Sequence, residues 1–166
     1  NTTDIRKVNR EVFFGEVIGF DHHFSIAGAM EQILSDLNIA LEKFVSELKL
    51  QGRWNDVTVV FLSDFGRSLH TNGNDGTDHG WGNNLWVAGG DLEGGKILGQ
   101  YPDDLTNANQ YIYSGITIPT TPLDSVWNSI AKWMGVTSED DLNMVVPNRN
   151  SFSDLWDINV LYGDGS

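Results

Sequence analysis

The chain has 166 residues, and 23 Asp and Glu residues against 10 Lys and Arg give it a formal net charge of −13. A charge this negative argues against a nucleic-acid backbone or an anionic membrane as the main partner. The absence of cysteine excludes disulfide scaffolds, zinc fingers and thiol catalysis. No apolar run approaches the ~18–20 residues of a membrane span.

Two strands separated by a helix are predicted in the first part of the chain. Residues 11–19 (EVFFGEVIG) are rich in Val, Ile and Phe, which indicates a buried strand. Apolar residues recur at steps of three and four from Met30 to Leu48, which predicts a helix that ends near Gly52. The apolar run 57–62 (VTVVFL) is typical of a strand covered on both faces. This order predicts a right-handed βαβ crossover.

The stretch from Ser63 to Gly99 is rich in glycine and is predicted to be mostly loop, with short strands at 85–90 and 96–99. Long loops of this kind in compact domains tend to be functional.

A second helix is predicted to start near Pro122, with Thr121 as its cap, and to end at Gly135. The acidic tail that follows, 136–166, is weakly patterned.

The histidines and several aspartates are predicted to converge. All four histidines lie between positions 22 and 79. Because carboxyl ends of parallel strands share one sheet edge, residues after the two strands and in the glycine-rich loop are expected to meet there. These candidates are Asp21, His23, Asp64, Asp78 and His79. Mixed carboxylate and imidazole ligands suit Zn, Mn or Fe.

Other interpretations of these residues remain open. Asp21 and Asp64 also suit loop caps, and the histidines suit ordinary polar surface. Arg67 is predicted either to clamp a phosphate or sulfate group or to pair with a neighbouring aspartate. His22 and His70 are interpreted as structural or as orienting groups.

Three short motifs carry little weight. The triplet at 64–66 (DFG) matches a kinase magnesium motif, but its companion motifs are missing. The segment 72–76 (NGNDG) lacks the spaced oxygen ligands of an EF-hand and favours a turn. No GxSxG elbow is present, which disfavours α/β-hydrolase chemistry.

Longer segments resemble a known family. The segments are GFDHH at 19–23, LSDFGRSLHTNG at 62–73, GTDHGWGNNLWVAGGDLEGGKILGQYP at 76–102 and IPTTPLDSVWNSIAKWMGV at 118–136. In order and spacing they resemble the bacterial domain-of-unknown-function family 1501, from about residue 11 to about residue 160.

The resemblance implies a relation to the alkaline phosphatase and sulfatase superfamily. It implies a doubly wound, mainly parallel α/β sheet of the alkaline phosphatase-like type, of which residues 1–166 would be the carboxyl-terminal part of one domain. It also implies an exported protein, periplasmic or extracellular, with a divalent metal cofactor, Zn, Mn or Ca. The implied metal ligands are Asp21, His23, Asp64 and His79, with Asp78 as a ligand or as the group that orients His79.

Two departures from the superfamily pattern leave the function open. Phe65 follows Asp64 where His or Asn is usual, and the segment that carries the superfamily's nucleophile is not in this chain. The first hypothesis is a metal-dependent hydrolase of phosphate or sulfate esters, with Arg67 stabilising the anion. The alternative is a non-catalytic extracellular structural or binding protein. A third option is carbohydrate binding by Trp81 and Trp86.

The predicted partners follow from these hypotheses. We expect the remaining part of the domain or another protein chain to cover this one, so that it is not a free monomer. The expected ligand is an anionic ester or a carbohydrate. We expect no nucleic-acid partner, and we expect no segment of the chain to span a membrane.

Overall fold

The computed structural model describes residues 6–104, 106 and 111–164, so the ends of the predicted domain lie outside the described residues. Short 3-10 turns link several of the elements. In chain order the helices and strands are α1 (Ile26–Leu50), β1 (Thr58–Phe61), β2 (Gly66–Thr71), β3 (Thr77–Gly80), β4 (Trp86–Gly89), β5 (Tyr111–Ile112), β6 (Ile116–Thr117), α2 (Leu123–Trp133), α3 (Glu139–Val145) and α4 (Ile158–Tyr162).

The predicted doubly wound, mainly parallel sheet is wrong. Within the described ranges the strands form three antiparallel pairs, β1 with β4, β2 with β3 and β5 with β6. β1 lies inside the predicted run 57–62, but β4 pairs with it in the opposite direction, with Thr58 opposite Gly89. The β2–β3 hairpin lies between these two strands in the sequence, and β4 follows it as a returning strand.

The strand predicted at 11–19 is also wrong, and with it the βαβ crossover. The segment has no regular secondary structure, and its side chains are exposed, with 82 % of Val12 and 92 % of Phe14 accessible to solvent. Its apolar, β-branched composition favours a strand, but a strand also needs a neighbour that satisfies its backbone N–H and C=O groups. Among the described residues no strand pairs with it.

The helix predicted from Met30 to Leu48 is confirmed as α1. It ends near Gly52, as predicted, where the backbone has a φ of +66° that favours glycine. None of its residues is buried, although its apolar positions follow a helical period. Its apolar face therefore lacks a cover in the described part of the chain.

The core lies around α2 instead. Trp133 of this helix stacks on Tyr162 of α4 at a ring-centroid distance of 5.0 Å, and the Tyr162 hydroxyl contacts the Thr58 hydroxyl at 2.9 Å. A second cluster joins α2 to α3. The buried apolar residues of the two clusters are Val126, Ile130, Ala131, Leu142, Val146, Leu161 and Tyr162.

The other predictions for this half are partly confirmed. β4 lies inside the predicted strand 85–90, but residues 96–99 form no strand. α2 starts beside Pro122 as predicted, but Pro122 itself occupies the cap position and no side chain caps the helix there. The weakly patterned tail holds two helices, α3 and α4, that contribute to the core. None of the described helices is long and apolar enough to cross a membrane.

Candidate metal site

A loop and a hairpin meet at the candidate site. The turn 72–76 connects β2 to β3, and the N–H groups of Ser25 and Ile26 donate to carbonyl oxygens of this turn at 3.2 and 2.9 Å. The loop that precedes α1 is thereby held across the hairpin. A Cβ atom at Gly76 would lie 2.2 Å from the carbonyl carbon of His23, so this close approach needs glycine.

Three potential metal donors converge where the loop crosses β3. The Asp21 Oδ1 lies 3.1 Å from the His23 Nε2 and 3.0 Å from the His79 Nε2, and the two imidazole nitrogens are 3.2 Å apart. Asp21 and His23 come from the loop, and His79 comes from β3. Three of the five predicted ligands are therefore brought together.

Asp78 orients one of the two histidines. Its Oδ1 lies 3.2 Å from the His23 Nδ1 and accepts a hydrogen bond from the Asn72 amide at 3.2 Å. An ionised carboxylate only accepts, so the contact with Asp78 favours a proton on the His23 Nδ1, and the 3.1 Å contact with Asp21 favours a proton on its Nε2. A metal at Nε2 would replace the proton there and leave the Nδ1 proton donated to Asp78. Asp78 was predicted either as a ligand or as the group that orients His79, its neighbour in the chain, but its contact is with His23.

A buried hydroxyl fixes the backbone of Asp78. The Ser68 Oγ accepts from the Asp78 N–H at 3.1 Å and donates to the His70 carbonyl at 2.9 Å. Ser68 is 4 % exposed, so the hydroxyl is held from two sides inside the hairpin. Sequence reasoning missed both Ser68 and Asn72, because nothing in their spacing distinguishes them from turn residues.

Arg67 ties the loop to the hairpin. Its Nη1 donates to the Thr77 carbonyl at 2.7 Å and its Nη2 donates to the Phe20 carbonyl at 3.1 Å. Nη2 also forms a short ion pair with the Asp21 carboxylate. Of the two interpretations left open for Arg67, this geometry favours pairing with a neighbouring aspartate.

The carboxylates of the site are favoured in their ionised form. A hydrogen bond from His79 holds the pKa of Asp21 below its usual value, with a further contribution from Arg67. Hydrogen bonds from Asn72 and then His23 lower the pKa of Asp78. Both groups therefore carry negative charge at neutral pH, which suits a cation between the side chains.

Phe65 stacks against the site. Its ring lies 4.0 Å from the His79 ring, centroid to centroid, with an angle of 20° between the planes. The Arg67 guanidinium carbon lies 5.2 Å from the centre of the same ring. In the sequence, Phe65 stands where the superfamily pattern has a usual ligand. In the structure it supports the imidazole of His79, whose neighbour in sequence, Asp78, is engaged with His23.

The donor set fits a divalent transition metal. Tetrahedral ligands at the usual Zn–N and Zn–O distances are separated by roughly 3.3 Å, and the three observed separations are 3.0, 3.1 and 3.2 Å. Two imidazoles and one carboxylate suit Zn, Mn or Fe, and they match Ca²⁺ poorly because it prefers six to eight oxygen ligands. Binding at the His79 Nε2 requires the proton that it donates to Asp21 to move to Nδ1 or to leave.

The remaining candidates lie outside this group of three. Asp64 precedes the hairpin and accepts from the Ser63 hydroxyl at 3.4 Å, and its carboxylate is not part of the cluster. His70 packs edge-on against Tyr111 at 5.7 Å. The His22 carbonyl accepts from Arg67 at 3.3 Å, and the His22 imidazole is not part of the cluster.

The tryptophans of the carbohydrate hypothesis line a second cavity. Trp81 and Trp86 border a space of about 880 Å³ that also contacts Asp64 and Phe65. Trp81 is 64 % exposed, and Trp86 stacks on Phe61 with ring centroids 5.0 Å apart.

The chain belongs to the family described as "Protein of unknown function (DUF1501)", whose model matches residues 3–121. The matched range includes the loop, the hairpin and the three convergent donors. No curated protein and no solved structure matches the chain.

Proposed function

We propose that this chain supplies the metal-binding part of a hydrolase of phosphate or sulfate esters, whose nucleophile comes from outside these 166 residues. The observation that carries the proposal is the cluster of Asp21, His23 and His79, with the carboxylate of Asp78 on the far nitrogen of His23. A carboxylate behind a ligand histidine is the usual support of a protein-bound metal, since it fixes the tautomer and raises the basicity of the ligand nitrogen.

Each residue has a defined task in this proposal. Asp21 and His79 hold the metal together with His23, which Asp78 keeps in the correct tautomer. Arg67 balances the charge of Asp21 and holds the loop in place. Zn, Mn or Fe, when bound, supplies Lewis-acid stabilisation of an anionic ester oxygen.

Arg67 is proposed as a positioning residue rather than an anion clamp. Both of its Nη atoms already donate to protein acceptors, and a bound anion would have to replace at least one of these contacts. A guanidinium held in this way keeps the carboxylate ligand in one orientation.

Three further statements belong to the same proposal and rest on the resemblance. They are the relation to the alkaline phosphatase and sulfatase superfamily, the carboxyl-terminal position of this chain in its domain, and export to the periplasm or the cell exterior. The proposed relation to this superfamily rests on the order of the Asp and His motifs and does not include the doubly wound parallel sheet. Fractionation of cells that express the complete protein tests export, and a cytoplasmic protein would contradict it.

Metal analysis of the purified chain, combined with calorimetric titration of Zn²⁺ and Mn²⁺, tests the metal site. We expect one bound ion per chain, and we expect the double variant His23→Ala/His79→Ala to lose it. His70→Ala is the matched control, because His70 lies outside the donor cluster. Equal uptake by the double variant and the wild type would reject the site.

Hydrolysis is tested separately on the complete protein, because the proposed nucleophile is not in this chain. Chromogenic phosphate and sulfate monoesters are offered to the metal-loaded protein and to its His23→Ala/His79→Ala variant. Turnover of either ester that disappears in the variant supports the proposal. Stoichiometric metal without turnover of either ester favours the alternative, a non-catalytic binding protein.

One observation favours that alternative specifically. The donor cluster contains only three ligands among the described residues, and Phe65 occupies the position of a usual fourth ligand by stacking on His79. A three-ligand site leaves an open position, which suits catalysis, but it also suits a site that links this chain to a ligand atom of another protein.

A further inference from the structure

A long groove separates α1 from the rest of the described chain. It has a volume of about 2220 Å³ and lies between the segment 9–21, one face of α1 and β1. Every residue of β1 lines it, but Trp86 is the only residue of β4 that does. Since β4 pairs with one edge of β1, the groove faces the opposite, outer edge of that strand.

The outer edge of β1 is suited to pair with another polypeptide strand. In an antiparallel pair, alternate residues direct their N–H and C=O groups away from the neighbouring strand. Among the described residues no second strand pairs with β1 on this side. An open strand edge beside an apolar surface is the arrangement that accepts an extended segment by strand addition.

The side chains that line the groove call for an apolar occupant. The α1 face that borders it carries Ile26, Met30, Leu37, Leu41, Phe44 and Leu48. On the other wall, Val12, Phe13 and Phe14 of the irregular segment also line the groove and are largely exposed. Exposed apolar surface on this scale marks an interaction site.

The charges around the groove indicate which residues stand at the ends of the bound segment. Six carboxylates line it against three guanidinium groups. Three of the six are paired, because Asp56 pairs with Arg53, Asp21 with Arg67 and Glu11 with Arg6. The other three carboxylates form no ion pair among the described residues, which leaves an excess of acid over the remaining guanidinium group. A second copy of this chain, with its net charge of −13, would be repelled. A segment with Lys or Arg at its ends complements the excess of acid. The six carboxylates are Glu11, Glu16, Asp21, Asp56, Asp64 and Asp91.

We propose that the groove binds an extended apolar segment with basic ends, from polypeptide outside these 166 residues, which adds as a strand to the outer edge of β1. Asp21 and Arg67 line the same groove, so the bound segment reaches the candidate metal site. The proposal stands without the metal chemistry, because neither the groove nor its test involves a metal.

A labelled peptide tests the proposal directly. The probe has about eight alternating Val and Thr residues, a usual strand length, with two Lys at each end, and its binding is followed by fluorescence anisotropy. We expect saturable binding that weakens at least tenfold when Glu replaces the Lys residues. Equal binding of both peptides would reject the charge argument. Failure of the Lys peptide to bind would overturn the proposal.

Two substitutions on α1 locate the binding surface. Phe44 and Leu34 are 46 % and 51 % exposed, but only Phe44 lines the groove. Because α1 has no buried residue, neither change to Ser removes a core contact. We expect Phe44→Ser to weaken peptide binding at least tenfold and Leu34→Ser to leave it within twofold. Equal effects of the two changes would overturn the groove as the site.

Two further measurements decide between this occupant and other modes. Hydrogen exchange should show that the bound peptide slows exchange at alternate backbone amides of β1, and unchanged β1 amides would refute strand addition. Analytical ultracentrifugation of the chain alone should show no dimer that forms through the groove, that is, no concentration-dependent dimer that is lost in Phe44→Ser. Such a dimer would identify a second copy as the occupant and overturn the proposal.

Discussion

The substitution Asp78→Asn tests whether the site is built as a metal centre. Asn has nearly the same size as Asp, but it lacks the negative charge that favours the proton on the Nδ1 of His23. The Asp78 Oδ1 lies 3.2 Å from the His23 Nδ1 and accepts a hydrogen bond from the Asn72 amide at 3.2 Å. If the carboxylate holds His23 as a metal ligand, the affinity for Zn²⁺ must fall although none of the three donors is changed.

The size of this effect follows from the surroundings of the pair. Removal of such a supporting group costs about 10–100-fold in metal affinity. The side chains of Asp78 and His23 are 59 % and 42 % exposed, so solvent screens much of the charge effect, and the amide oxygen of Asn still accepts a hydrogen bond more weakly than a carboxylate does. We therefore expect the lower end of the range, about tenfold.

The assay is calorimetric titration of Zn²⁺ into the metal-free protein, and Asp64→Asn is the control. Asp64 is an acid of the same type outside the donor cluster, and its replacement should leave the affinity unchanged. Equal losses for Asp78→Asn and Asp64→Asn would mean that only net charge matters. An unchanged affinity of Asp78→Asn would refute the orienting role.

Three other changes test the loop, the core and the strand contact. Gly76→Ala should abolish Zn²⁺ uptake, because its Cβ would meet the backbone of His23, whereas Gly28→Ala, with open space around it, should not. Leu142→Ala should lower the free energy of unfolding by about 2–5 kcal/mol in a urea titration, since this core side chain is 1 % exposed. Burial raises the pKa of Tyr162 to about 12. The folded state therefore favours the protonated phenol, so stability should fall as pH rises from 10.0 toward about 12, and Tyr162→Phe should flatten this fall in alkaline urea titrations.

Local patterns were sufficient where one element determines its own structure. The helical period from Met30 to Leu48 predicts α1, and the run 57–62 predicts the position of β1. Strand pairing depends on which segments find a neighbour, and the pattern does not contain that information. Residues 11–19 have strand composition, but no partner strand is present among the described residues, so the segment stays irregular.

The helices of the tail were missed for a different reason. α3 and α4 are 7 and 5 residues long, too short for a helical period to stand out. Their ends are set by side chains: Ser138 accepts from the Asp141 N–H, and Asp157 accepts from the Ile158 N–H. Packing on α2 then stabilises them, and that packing is a tertiary effect.

The convergence of Asp21, His23 and His79 was predicted, but through a different topology. The prediction used the shared edge of parallel strands, whereas the structure uses an antiparallel hairpin whose turn holds the loop before α1. The same difference explains Asp64. It follows β1, as the prediction required, but it precedes the first hairpin pair, Gly66 with Gly80, and stays outside the cluster.

The two histidines of the site are oriented by unlike neighbours. His23 has a carboxylate on its far nitrogen, whereas His79 has the face of Phe65 at 4.0 Å. A carboxylate determines which nitrogen carries the proton, but an aromatic face fixes only the plane of the ring. Both Nε2 atoms contact the Asp21 carboxylate, His23 at 3.1 Å and His79 at 3.0 Å, and a metal would replace both contacts. Phe65 stands where the superfamily pattern has a ligand, and its stacking on His79 fixes the plane of that ring.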